Sequence, residues 1–302
     1  ASTVRNYTQR VGQRLERHQD TLPMAIPRAP ADDVVLGLDG GYVRSRQPRP
    51  ERTFEIVAGK VLNDQDPATR FAFVREGSVS GGETIARLLR QCGTTAETRV
   101  TVLSDGDAGL RAIQRAAAPD AAPVLDWFHI AMRWQHVHQL AIGAIHQGQS
   151  AEARTWLLDR IDRAKWALWN GQRLKTLAHL SELRVWTWNV RANPSWLEHL
   201  RTHLSELTSY LDANADSLPN DGARYRQGAA ISTAFVESAV NEIVSRRMVK
   251  RQQMRWNRET VQPFLTVRVH VLNDTLENAF RHWHRAFRPA ANAETVPAGK
   301  AA

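Results

Sequence analysis

Two apolar runs in this chain stop at an acid beside glycine, and that pattern constrains the fold more than any other. The first is Val34-Val35-Leu36-Gly37-Leu38-Asp39-Gly40-Gly41. The second is Val100-Thr101-Val102-Leu103-Ser104-Asp105-Gly106-Asp107. Each reads as a buried strand closed by a turn signal. Pro123-Val124-Leu125-Asp126 is a shorter run of the same kind. A carboxylate at the end of such a strand is held on a rigid element, and the glycines leave room beside it for a ligand. Phe54–Leu62 and Arg70–Glu76 read as further strands, and Thr84–Gln91 as a helix. Another helix follows Asp107, with Leu110 and Ile113 inward. The order is three strands, then helix, strand, helix, strand. It predicts a mixed α/β sheet with the acids at the carboxyl ends of strands, where open α/β sheets place their ligand sites. Gly40-Gly41 is expected to open a hairpin turn.

The remainder of the chain reads differently. Val4, Tyr7, Val11 and Leu15 recur at helical spacing, which makes residues 1–20 an amphipathic helix. Pro23, Pro27 and Pro30 make an extended linker behind it. From Trp127 to about Leu211 strand signals nearly vanish, and eight of the ten tryptophans fall there: Trp127, Trp134, Trp156, Trp166, Trp169, Trp186, Trp188 and Trp196. Most of these serve packing. Leu218–Gly228 is expected to be a loop, residues 232–258 and 261–287 long helices, and the Ala- and Pro-rich tail from Pro289 disordered.

Composition narrows the class of partner. The chain has 302 residues and a formal charge of +9, and arginine far outnumbers lysine. A forked guanidinium suits phosphate, so this balance points to a polyanion, most simply nucleic acid. The single cysteine, Cys92, excludes an internal disulfide framework and a cysteine-based zinc finger. No run approaches the ~18 apolar residues of a membrane span, so no membrane partner is expected. A basic, disulfide-free chain without an apolar leader fits the cytoplasm and association with the nucleoid.

Three acids carry the candidate chemistry. Asp39 and Asp105 end strands, and Glu237 begins a helix in Ser232-Thr233-Ala234-Phe235-Val236-Glu237-Ser238. Carboxylates from separated strands and one helix can converge on two Mg²⁺ ions, or Mn²⁺, which prefer hard oxygen ligands. Asp107 could replace Asp105, but it lies past the glycine and reads as a helix cap. Glu242 could replace Glu237, yet five residues on it points to another side of the helix. Asp126 and His129, three residues apart across a strand–helix junction, form either a site-shaping pair or a helix cap beside a buried histidine. Arg246, Arg247, Lys250, Arg251 and Arg255 follow Glu237 and would lead a DNA backbone toward the acids; a solvated basic face is the plainer reading. Trp256 among them would stack on a base or pack in the core.

The stretches LGLDGGYVR, TVLSDGDAGLR, VLDWFHIAMR and FVESAVNEIVSRRMVKRQQMRW resemble the core of bacterial insertion-sequence transposases of the ISKra type, with ISL and Mutator-like transposases as more distant relatives. The resemblance runs over residues 1–287. It implies a ribonuclease-H-like fold and a DDE triad of Asp39, Asp105 and Glu237. Asp126 and His129 match the family's (C/D)xxH motif at the edge of an all-helical insertion. The implied divisions are 1–30, N-terminal helix and linker; 31–130, first part of the catalytic domain; 131–228, the insertion; 229–288, the helices completing the catalytic domain; and 289–302, a disordered tail. The implied activity is Mg²⁺-dependent DNA cleavage and strand transfer by a homodimer or higher assembly on element ends and target DNA. Where the family is often Gly-Ser-Gly-rich before the glutamate, this chain has Ile231-Ser232-Thr233-Ala234-Phe235. Fuller members carry an N-terminal DNA-binding region, of which the helix over residues 3–18 and its linker would be the part present here. On residues alone two other readings stay open: a non-catalytic DNA-binding remnant, and a structure-specific nuclease.

Overall fold

The computed structural model describes residues 2–22, 28–47, 52–63, 67–145, 150–190, 195–249 and 256–288. Five strands form one mixed sheet in the order β3-β2-β1-β4-β5. They are β1 (Asp33–Arg44), β2 (Thr53–Asn63), β3 (Thr69–Val74), β4 (Arg99–Ser104) and β5 (Ala122–Leu125). β1 pairs antiparallel with β2, and β2 with β3; β1 pairs parallel with β4, and β4 with β5. The sequence-based order of strands and helices is the one observed.

Side chains alternate cleanly across the sheet, as a period of two requires. Val34, Leu36, Leu38, Val57, Val61, Phe71 and Phe73 face one core, closed by Ile85 and Leu89 of α2 (Ser78–Gln91) and by Leu110 and Ile113 of α3 (Ala108–Ala117). Val43, Phe54, Ile56, Ala58, Ala72 and Val74 face the other. That core is closed by α9 (Ala234–Val240), by the π-helical stretch Asn241–Val249 that continues it, and by α10 (Arg258–Leu272). By the same alternation Asp39, on the side of Val43, faces α9.

Four long helices make the segment between β5 and α9: α4 (Trp127–Ile145), α5 (Ala151–Trp169), α6 (Arg173–Asn189) and α7 (Ser195–Ala213). They bury a core of their own, including Trp134, Ile161, Leu183, Trp196 and Leu204. Of its eight tryptophans only Trp166 and Trp188 are largely exposed, which agrees with the packing role expected for most of them. α1 (Ser2–Arg17) lies on α10, with Leu15 fully buried, while Val4 and Tyr7 at its start are exposed. Among the described residues no helix is long and apolar enough to cross a membrane.

Several local expectations are corrected. Gly40 and Gly41 are not a turn; they pair with Val57 and Ile56 inside β1, which runs on to Arg44. Their lack of a side chain is used sideways. A Cβ on Gly40 would meet the Glu55 carboxylate at 2.5 Å, and one on Gly41 would meet Val244 at 3.4 Å. Leu218–Gly228 is not wholly a loop, because Asn220 accepts from Ala223 N–H at 2.9 Å and caps a short helix, α8 (Asp221–Arg226). The helix expected over 261–287 is two, α10 and α11 (Leu276–Trp283). Asp274 breaks it with φ of 55°. The last part of the helix expected over 232–258, the residues Pro23 and Pro27 of the linker, and the tail from Pro289 fall outside the described residues.

Candidate active site

The strand register assembles the acids. The pairing of β1 with β4 ends at Gly37 and Leu103, so Asp39 and Asp105 each lie two residues further along. β4 and β5 end on Ser104 with Leu125, so Asp105 and Asp126 each lie one further. Three acids therefore stand level across three neighbouring strands, each step about 4.8 Å. Asp105 and Asp126 lie just past the ends of β4 and β5. Asp39 lies midway along β1 rather than at its end as expected, because β2 keeps β1 paired as far as Arg44. Equivalent positions on parallel strands face the same way, toward the α9 side.

Their electrostatics agree with that placement. Asp39 is half-buried, and burial pushes its carboxyl up; the Gly40 N–H, donating at 2.7 Å, and the His129 imidazole pull it down, while Asp105 and Asp126 push it up again. Asp105 accepts from the Asp107 N–H at 2.9 Å, across a turn that Gly106 makes with φ of 86°. Its carbonyl accepts from the Tyr210 hydroxyl at 2.8 Å. Asp107 is the expected cap, accepting from Gly109 and Leu110 N–H at 2.8 and 3.0 Å at the start of α3.

Asp126 is the helix cap of one reading of its motif, but the His129 beside it is half-exposed and not the buried histidine expected there. Asp126 itself is fully buried. Its Oδ1 accepts from Phe128 N–H at 2.8 Å, capping α4, and from Thr233 N–H at 3.0 Å; its Oδ2 accepts from the Thr233 hydroxyl. His129 Nε2 stands 3.6 Å from the same Oδ2. Thr233 immediately precedes α9, and Trp127 N–H donates to the Ile231 carbonyl at 3.1 Å. One carboxylate thus ties the entry of the helical segment to its exit, 107 residues later.

Glu237 lies on α9, and its side chain is outside the described residues. Its backbone is bracketed by Thr233, held by Asp126, and by Val240, whose methyl lies 3.6 Å from where a Gly41 Cβ would stand. Next to it, Ser238 Oγ accepts from the buried Lys60 Nζ at 2.5 Å. Glu242, the competing acid, is paired with Arg70 of β3 at 3.0 Å. The side chains of Arg246 and Arg247, and all of Lys250, Arg251 and Arg255, are outside the described residues. Trp256 packs on Phe264 with ring centroids 5.2 Å apart, its backbone bridged to Ser45 at the end of β1.

Two residues of this neighbourhood carry no signal in the sequence. Tyr210 sits one helical segment away, its hydroxyl pushed up to about 12 by burial and its ring covered by Arg133 at 4.0 Å. Asp221 is buried at 1% exposure, and burial pushes it up to about 7, with Arg224 opposing and Asp126 adding to the rise. A helix pattern could flag neither, because Tyr210 owes its setting to the backbone just past β4 and Asp221 to its burial at the start of α8.

Mg²⁺ or Mn²⁺ fits this donor set in kind. The donors are carboxylate oxygens, and the ionised form of Asp39 is disfavoured by burial and by two neighbouring acids, which a cation would reverse. Among the described residues no three histidine, cysteine or acidic side chains stand close enough to hold an ion by themselves. Compared with models of protein families and with curated proteins, the chain matches none.

Proposed function

We propose that the chain is the catalytic domain of a DDE-type DNA transposase on a ribonuclease-H-like fold. The observation that carries this reading is the level row of Asp39, Asp105 and Asp126 across β1, β4 and β5, facing the helix that bears Glu237. The motifs shared with ISKra-type transposases and the charge of +9 support it. Asp39, Asp105 and Glu237 would hold two divalent cations, which supply charge neutralisation and an activated attacking oxygen for phosphodiester chemistry. Asp39 and Asp105 fix the sheet side of the site. Asp126 and Lys60 position α9, and with it Glu237, against that side. Arg246, Arg247, Lys250, Arg251 and Arg255 would neutralise backbone phosphates. The activity is hydrolysis at an element end, followed by attack of the freed 3′-OH on target DNA.

Nicking of supercoiled plasmid and joining of an end oligonucleotide, both with Mg²⁺, test the reading. Asp39→Ala and Asp105→Ala each lower both activities by about 100-fold or more, and they abolish the rise in melting temperature that Mg²⁺ gives the wild type. Cleavage surviving in either variant refutes the assignment. Cleavage of branched DNA without joining indicates a structure-specific nuclease instead.

A further inference from the structure

α6 has two apolar faces. Thr176, Leu180, Leu183 and Thr187 are buried against the rest of the helical segment. On the opposite side Leu174, Ala178, Ser181, Val185 and Trp188 recur in alternating steps of four and three residues, the spacing of a coiled-coil seam. This outer stripe is largely open to solvent: Leu174 is 79% exposed, Val185 57% and Trp188 70%, with the Arg201 guanidinium of α7 over one face of the Trp188 ring at 4.8 Å. A helix that needs only one covered face carries polar residues on its other side.

We propose that this outer face of α6 is a self-association surface, on which two copies of the chain pack with their α6 helices antiparallel. The seam matches itself when reversed. A two-fold axis between Ala178 and Ser181 sets these small residues against each other, so the backbones approach closely. It sets Leu174 of each copy on Val185 of the other, and Trp188 over the start of the other helix at Gly171. The charges match as well. An axis of this kind brings each shoulder of the helix against the same shoulder in reverse. Lys175 and Glu182, both exposed, share one shoulder, so Lys175 of each copy meets Glu182 of the other, twice over. Arg160 of α5 holds the Glu182 carboxylate on that shoulder at 2.8 Å. Antiparallel helix dipoles add to the attraction.

Sedimentation equilibrium of the full chain, without DNA or metal, tests this independently of any activity. The wild type is expected to dimerise. Leu174→Glu with Val185→Glu yields a monomer with an unchanged far-ultraviolet circular dichroism spectrum. Lys175→Glu raises the dimer dissociation constant by about tenfold or more, the equivalent of about 1.4 kcal/mol. Adding Glu182→Lys to Lys175→Glu restores the dimer. A wild type that stays monomeric across the micromolar range overturns the proposal, as does a dimer indifferent to Leu174→Glu with Val185→Glu. Loss of DNA binding in that double variant of a monomeric wild type reassigns the seam to nucleic acid and equally overturns it.

Discussion

Asp126 shows how much one residue can organise. It accepts three hydrogen bonds from Phe128 and Thr233 while fully buried. Asp126→Ala leaves those donors unmatched, and it should cost about 3–5 kcal/mol in urea unfolding. Asp126→Asn keeps the shape but presents an amide to donors, so it should also destabilise, by roughly 1–3 kcal/mol. Gly106 is the second such position. Its φ of 86° suits glycine, and a Cβ there would overlap the Asn214 side chain of the helical segment. Gly106→Ala should therefore lower the melting temperature and weaken the Tyr210 contact to Asp105, visible as a changed tyrosine environment in near-ultraviolet circular dichroism. The sequence marked Asp39, Asp105 and Asp126 because an acid ending an apolar run is a local pattern. It could not mark Tyr210, whose meaning is a contact made about a hundred residues away, or Asp221, whose meaning is its burial in the folded chain.

At the scale of elements, strands and long helices were legible and their ends were less so. β1 outlasts its glycines because β2 supplies partners as far as Arg44. The two C-terminal helical patterns were read whole because periodicity does not report a π-helical stretch or the left-handed residue Asp274. α1 was legible as amphipathic, but not its seat. Gly12 lies on the Pro263 carbonyl of α10, where a Cβ would overlap the backbone. Gly12→Ala should push α1 off α10 at a cost of about 1–3 kcal/mol, measured by thermal unfolding and by faster proteolysis within residues 2–22.

For the molecule as a whole, one buried and one half-buried group bend stability with pH in opposite directions. Asp221 titrates at about 7 when folded against an ordinary 3.8, so its contribution is full below pH 3.8 and lost as pH rises toward 7. His270 titrates at about 4 when folded against an ordinary 6.5, lowered by burial. Its contribution is full above pH 6.5 and lost as pH falls toward 4. Between pH 4 and 6.5 the two slopes oppose, each at most about 1.4 kcal/mol per pH unit. Asp221→Asn should make unfolding free energy rise with pH across that window, and His270→Gln should make it fall. Equal slopes in both variants would contradict the burial of one or the other.

The sequence by itself determined the order of strands and helices, the apolar faces, and the positions of the acids that close apolar runs, because each is written in neighbours within a few residues. Only the tertiary structure decided that β1, β4 and β5 set three of those acids level, that Asp126 holds the start of α9, and that Glu242 belongs to Arg70. Such facts depend on strand register and on where a helix returns after a long excursion, and short-range periodicity carries no record of either.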